Sequence, residues 1–246
     1  MVCRGRPAGA VNVLVPVGSL VPGARIHLDA LEVHHLRVRR AGAGEAVRLL
    51  DGAGGVGAGV LELGKKGAVV TVSEVHREAA PVPLVLAIGA GERDRFAWVV
   101  EKAAELGVTE IVPLETEHTR GVASRIRHAQ VERFRRRTLE AIKQCGATWA
   151  PQVRDPVPLE EFAAEPRAGI RWLAALEGGV PPAGVGPDAV TIAIGPEGGF
   201  TAEERSALEA AGFTPVRFGD HILRFETAAL AGAVYTSVAR KRGLDG

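Results

Sequence analysis

Cysteine is nearly missing from the chain: Cys3 and Cys145 are far apart and show no Cys-x-x-Cys spacing. That excludes a disulfide framework, argues against a structural zinc site and makes a reducing, cytoplasmic setting the expectation. No stretch reaches the roughly 18 uncharged apolar residues that a membrane helix needs. The opening Met1-Val2-Cys3-Arg4-Gly5-Arg6 leads into Pro7 rather than a continuous apolar run, so neither export nor membrane insertion is expected. Excess charge is missing too. Lys and Arg total 30 against 29 Asp and Glu, so any hold on nucleic acid must come from local clustering. No serine lies in G-x-S-x-G and Cys145 has no evident base partner, which leaves nucleophilic catalysis unsupported. Of the scattered histidines, His34 and His35 are adjacent with His27 nearby; neighbours on a strand face opposite ways, so no metal site is expected.

What is present suits a soluble globular chain. Its 246 residues allow one large domain or two modest ones, and 46% hydrophobic with 24% charged residues is enough to bury a core. With 31 Gly and 15 Pro, short elements joined by tight turns are expected. Residues 10–78 read as β-rich, with strands in Val11 to Val17, at Ala46 to Leu50 and at Val69 to Val72, and with no long amphipathic helix required. Gly/Pro turns recur there at the spacing of a small barrel. A boundary falls near Ala79-Ala80-Pro81-Val82-Pro83, giving units of 1–78 and 79–246. Beyond it, strands at 84–90, 110–114, 170–176, 190–194 and 215–218 alternate with helices at 95–106, 127–145, 202–211 and 226–240. That alternation predicts an α/β fold with a mainly parallel sheet, and Gly178 to Asp188 reads as a loop.

Two runs stand out. Ile194-Gly195-Pro196-Glu197-Gly198-Gly199-Phe200 leaves an apolar strand and enters a helix through a Thr201/Glu204 capping box. It is either a tight strand-to-helix turn or a glycine turn at the carboxyl sheet edge, where a flat ligand can approach bare backbone. The run from Phe218 to Ala229 is a second strand end, loop and helix start, and two such loops side by side would form one pocket. Arg224 and Glu226 are either a surface ion pair or a cation and carboxylate aimed at a substrate. By contrast, Gly52 to Gly57 matches G-x-G-x-x-G, but no helix follows before Gly64-Lys65-Lys66-Gly67, so a hairpin loop is the better reading. Arg120, Arg125, Arg127, Arg133, Arg135, Arg136, Arg137 and Lys143 face only Glu132 and Glu140 in their stretch; this is a solvated helix face or a phosphate-binding one. Arg37, Arg39 and Arg40 form a smaller basic group.

With Ile194 to Gly199 and, some thirty residues on, Leu223-Arg224 with Glu226-Thr227-Ala228, the chain resembles the bacterial 16S ribosomal RNA uridine-N3 methyltransferases of the SPOUT superfamily. The likeness runs almost end to end: it takes in His34, Arg37, Val38, Gly42 and Asp51-Gly52, then Lys102 to Val108 and Gln144-Cys145-Gly146 with Pro151. It implies a PUA-like β-barrel domain for RNA before a trefoil-knotted α/β domain that binds S-adenosylmethionine and works as a homodimer. The cofactor would lie among Leu173, Leu176, Ile194, Gly195, Pro196, Gly198, Gly199, Ile222, Leu223, Thr227 and Ala228. Methylating an imide nitrogen requires a cation and a base, roles that fall to Arg224 and to Glu226 or Glu197. His34, Arg37, Arg40, Arg93, Lys102, Arg120 and Arg136 would meet 16S ribosomal RNA within the small subunit, while Ala228, Ala229, Gly232 and Ala233 are suited either to a dimer contact or to packing within the chain. The chain departs from the pattern at Phe225, Arg39 and Ala147. Another RNA target, a non-catalytic RNA binder and a nucleotide-binding metabolic enzyme are the alternatives.

Overall fold

The computed structural model describes residues 10–64, 67–89, 91–122 and 126–242, with side chains through Arg240. Cys3, Lys65, Lys66, Ala90 and Arg125 lie outside those residues. The chain divides into two compact units, one reaching to Ala80 and including Leu139–Ala150, the other made of Pro81–Thr138 and the residues from Pro151 onward.

The first unit holds β1 (Val11–Leu14), β2 (Arg25–His27), α1 (Ala30–Val38), β3 (Ala46–Leu50), β4 (Gly55–Gly64) and β5 (Gly67–Arg77). Its five strands form one mixed sheet in the order β1-β3-β4-β5-β2, with β1 parallel to β3 and every other pair antiparallel. Alternating residues of these strands, among them Val13, Leu49, Leu61 and Val70, pack with Leu36 of α1 into one core. Helix α1 is short, nine residues, in line with the expectation that no long amphipathic helix is required here. Asp29 starts it by accepting from the Glu32 N–H at 2.8 Å, an N-cap signal present in the sequence. The Gly52–Gly57 run is the β3–β4 turn, as the missing helix suggested. Asp51 Oδ1 accepts from the N–H groups of Ala53 and Gly55 at 2.8 and 2.7 Å, and a Cβ on Gly55 would collide with that carboxylate.

The second unit runs β6 (Leu84–Ile88), α2 (Arg93–Glu105), β7 (Glu110–Glu115), α3 (His128–Cys145), β8 (Gln152–Val153), β9 (Val157–Pro158), α4 (Leu159–Ala164), β10 (Ile170–Gly179), β11 (Val190–Ile194), α5 (Ala202–Ala210), β12 (Thr214–Val216) and α6 (Phe225–Arg242). All its strand pairs are parallel, in the order β12-β10-β11-β6-β7-β8 with β9 also on β7. The strands are apolar on both faces because both are covered. Along β6, Leu84, Leu86 and Ile88 join one core with Phe96, Val100, Phe134 and Ala233; Val85 and Ala87 join another with Phe162, Leu208 and Phe213. Strand β10 continues to Gly179, into the segment expected to be loop. Helix α3 is shared between the units, its residues from Leu139 belonging with the first. No helix is long and apolar enough to cross a membrane among the described residues.

Candidate functional site

The turns after β11 and before α6 meet at the carboxyl end of the parallel sheet, where ligands of open α/β sheets bind. They enclose a cavity of about 670 Å³ together with the end of β10. Its floor is made of backbone. The Gly199 N–H donates to the Pro196 carbonyl at 2.8 Å and closes the turn, and Gly199 has φ +72°, a conformation that side chains resist. The expected capping box is present: Thr201 Oγ1 accepts from Glu204 N–H at 3.2 Å, and Glu204 Oε2 accepts from Thr201 N–H at 2.9 Å. The helix that follows is thereby fixed directly behind the turn.

Of the cofactor residues expected from sequence, Leu176, Ile194, Gly195, Pro196, Gly198, Gly199, Ile222, Leu223 and Ala228 line the cavity. Two do not. Leu173 is buried in the core against Phe162 and Leu208, because strand alternation turns it to the opposite sheet face from Trp172 and Ala174. Thr227 is exposed on the first turn of α6, away from the lining. Among the catalytic candidates, Arg224 and Glu197 line the cavity. Both side chains are exposed and neither has an ion pair among the described residues. Glu226 lies outside the lining; its Oε1 is 3.7 Å from Arg95 Nη1, while its Oε2 is buried without a partner. Phe225, the departure between Arg224 and Glu226, is 2% exposed and joins the core with Ala229 and Ala233. Phe225 thus serves both the core and the cavity lining, and leaves Arg224 on the rim.

Phe200 and Phe218, which end and begin the two runs, also line the cavity, as do Arg95 and Arg217, which were not anticipated. Arg95 belongs to the start of α2, at least 100 residues from the other turns, so no local spacing could have marked it. These residues fit an S-adenosylmethionine molecule. The volume is that of a cofactor-sized cleft, the apolar side chains of Leu176, Ile222, Leu223 and Phe218 suit a planar base, and glycines admit it to the backbone. Arg217 complements a carboxylate.

The expected RNA contacts divide sharply. On α1 and just after it, His34, Arg37 and Arg40 are exposed and have no ion pair among the described residues. Arg93 is likewise exposed and unpaired among them. Lys102 instead donates to Glu105 and Glu101 at 2.7 and 2.9 Å, and these carboxylates hold its pKa above the ordinary lysine value. Arg120 pairs with Glu117 at 3.0 Å, and Arg136 with Glu132 at 3.8 Å. The basic stretch of α3 is largely neutralised: Arg135 reaches Asp155, Arg137 reaches Glu101, and Lys143 is buried between Glu32 and Glu140. Arg133 stays exposed and unpaired among the described residues. The stripe Ala228, Ala229, Gly232 and Ala233 is buried within its own chain, and a Cβ on Gly232 would come within 2.8 Å of Ile192.

Comparison with known proteins places this architecture. Residues 78–237 match the family model of an RNA methyltransferase domain, and residues 28–73 that of an RNA methyltransferase PUA domain. A ribosomal RNA small subunit methyltransferase E of Synechocystis is 35% identical over 228 residues, covering 87% of this chain and 73% of that one. The protein of the same name from Rickettsia conorii is 26% identical over 85% of this chain and 86% of its own. Among solved structures, that of the Neisseria gonorrhoeae ribosomal RNA small subunit methyltransferase E bound to S-adenosylmethionine superposes with a TM-score of 0.80 at 27% identity, covering 91% of this chain and 95% of that one. A Legionella pneumophila methyltransferase in complex with the same cofactor gives 0.79 at 28% identity, with the same coverage. The mixed sheet is thus the PUA-like part and the parallel sheet the SPOUT α/β knot fold. With a family model over most of its length and a relative of this identity, the chain belongs to the ribosomal RNA small subunit methyltransferase E family.

Proposed function

We propose that this protein methylates N3 of a specific uridine in 16S ribosomal RNA, using S-adenosylmethionine held in the cavity between the Gly195–Gly199 turn and the turn before α6. The observation that carries the reading is the meeting of the two turns around a cleft with an arginine on its rim that no carboxylate engages among the described residues. When bound, the cofactor supplies an electrophilic methyl group on a sulfonium. The chain must supply the rest. Uridine N3 is an imide nitrogen whose lone pair is spread over two carbonyls, so it becomes a nucleophile only as its proton leaves and charge gathers on O2 and O4. Arg224 stabilises that charge. Glu197, the candidate carboxylate that faces the cavity, accepts the proton from N3. Glu226 plays a different part, because with Glu92, 3.2 Å from Arg95 Nε, it brackets the Arg95 guanidinium on the cavity wall.

Residues 1–78 act as the RNA-binding domain and 79–246 as the catalytic domain, in the cytoplasm, on RNA within the small ribosomal subunit. Arg37, Arg40 and Arg93 supply phosphate contacts, since no ion pair among the described residues spends their charges inside the protein. The working form is a homodimer. Val234 and Val238, 46% and 45% exposed one turn apart on α6, offer an apolar contact that the buried Ala/Gly stripe does not. The test is to incubate the protein with undermethylated small subunits and methyl-labelled cofactor, then identify the nucleoside by mass spectrometry. Labelled 3-methyluridine from 16S RNA is expected; label on a ribose hydroxyl, on uracil C5 or in transfer RNA overturns the assignment.

A further inference from the structure

The glycine turn that forms the cavity floor is open on its far side as well. A second cavity of about 450 Å³ lies there, lined by Gly91, Glu92, His118, Val122, Glu197 and Gly198. Glycine itself imposes little restriction on the peptide planes at Gly198 and Gly199. Besides the Gly199 to Pro196 hydrogen bond that closes the turn, the segment is held by the short 3-10 turn Glu117–Thr119 that follows β7. This turn is itself rigid. Thr116 and Thr119 are buried, Thr116 N–H donates to Thr119 Oγ1 at 2.9 Å, and Thr119 Oγ1 donates to the Thr116 carbonyl at 3.0 Å. Three contacts run from it to the glycine segment. The His118 ring nitrogen Nδ1 lies 2.9 Å from the Gly199 carbonyl oxygen. The Glu117 N–H donates to Glu204 Oε1 at 2.7 Å, on the residue whose other oxygen caps Thr201. The His118 ring also lies so close over Gly198 that a Cβ there would approach its Cγ to 2.9 Å.

We propose that His118 is a positioning residue for the cofactor site: it locks the Gly199–Phe200 peptide and so presets the glycine turn for S-adenosylmethionine. This rests on the reading that the cavity between the two turns holds that cofactor. A carbonyl oxygen only accepts, so Nδ1 carries the proton and neutral His118 is the Nδ1–H tautomer. Removing the donor leaves the Gly199–Phe200 peptide free to populate more than one orientation, and affinity falls by the fraction of molecules in the wrong one. His118 does not line the cofactor cavity, so its loss weakens binding without changing the chemistry once cofactor is bound.

The test is calorimetric titration of the full chain with S-adenosylmethionine, joined to methyl-transfer rates at saturating cofactor. His118→Ala is expected to weaken binding roughly fivefold, the size of one hydrogen bond, with the saturated rate and the melting temperature unchanged. His118→Asn, whose amide nitrogen is as many bonds from the backbone as Nδ1, is expected to restore binding. Gly198→Ala is expected to weaken binding in the parent chain and to cost less in the His118→Ala background, where the ring it collides with is gone. Parental affinity in His118→Ala, or no rescue by asparagine, overturns the proposal. Nitrogen NMR of the ring near pH 8 reads the contact independently of cofactor: the Nδ1–H signature supports the lock and the Nε2–H signature overturns it. A parent chain that shows the Nδ1–H signature yet binds no S-adenosylmethionine overturns the cofactor reading and not the lock.

Discussion

Arg224 and Glu197 carry the proposed chemistry, and their surroundings set what each substitution should do. Arg224 is exposed at the cavity rim with no carboxylate neutralising it among the described residues, so its charge is available to the substrate. Arg224→Ala should lower the methyl-transfer rate at saturating cofactor by roughly a hundredfold while the fold melts at the same temperature; a rate near that of the parent removes Arg224 from the mechanism. Glu197 and Glu226 are separable by the same assay. If Glu197 takes the N3 proton, Glu197→Gln should abolish most turnover, whereas Glu226→Gln, which only loosens Arg95, should retain a substantial share of it. The reverse order would make Glu226 the base. At this scale, most expected residues that share a turn line the cavity together, but Glu226 and Thr227 do not; neither does Leu173, where a single step along a strand exchanges one sheet face for the other, and Arg95 reaches the lining through long-range folding alone.

Among elements, the carboxyl end of α3 shows how a helix is held by groups far away in sequence. The last carbonyls of a helix have no partner inside it. Here the Lys143 carbonyl accepts from Asn12 Nδ2 at 2.7 Å and the Gly146 carbonyl from Arg48 Nη1 at 2.9 Å. The Lys143 ammonium is buried 2.7 Å from Glu32 Oε1, and burial pushes the Glu32 carboxyl up while Lys143 opposes that shift. Removing one partner leaves the other charge buried. Lys143→Met should therefore destabilise the chain by about 3–5 kcal/mol, measured by denaturant unfolding, and the loss should shrink when Glu32→Leu is added. A second network ties α4 to the parallel sheet: Glu165 receives Arg154 at 2.6 Å and Arg167 at 2.6 Å. Hydrogen bonding from Arg154, with Arg167 adding to it, holds the Glu165 carboxyl below its ordinary 4.5. A carboxyl more acidic in the folded than in the unfolded chain stabilises the fold fully above about pH 4.5, and that stability fades as pH falls through the folded value. The melting temperatures of the parent and Glu165→Gln should thus differ at pH 7 and converge as pH falls through the folded value; a constant gap would contradict the pairing.

The strands Ala46–Leu50 and Val190–Ile194 were legible to the residue, because runs this short, mainly apolar and bounded by turn residues, are too short for a helix. Helix α1 was not, since its weak amphipathicity is overshadowed by the β-rich segments around it, although Asp29 marks its start. The basic face of α3 was legible as charge but not as pairing, because Glu101 and Asp155 come from other segments.

For the whole molecule, a net charge of +1 means that RNA affinity depends on where unpaired cations lie. Arg37 and Arg40 have no ion pair among the described residues, where the arginines of α3 are mostly engaged, so the double substitution Arg37→Ala/Arg40→Ala should reduce the slope of log affinity against log salt by about 1–2. Arg136→Ala should change it less, and an unchanged slope in the double variant would move RNA binding to another surface. Val234→Glu should convert the proposed homodimer to monomer in analytical ultracentrifugation; a dimer that survives it does not use that face.

The proposed chemistry depends on the cavity between the Gly195–Gly199 turn and the turn before α6 being the seat of the methyl donor. A crystal structure of this chain soaked with S-adenosylmethionine tests that most directly. The cofactor should lie against the backbone of Gly195 and Gly199, with its methyl group directed toward the space between Glu197 and Arg224. Density elsewhere on the molecule, or an empty cavity at saturating cofactor, would contradict it.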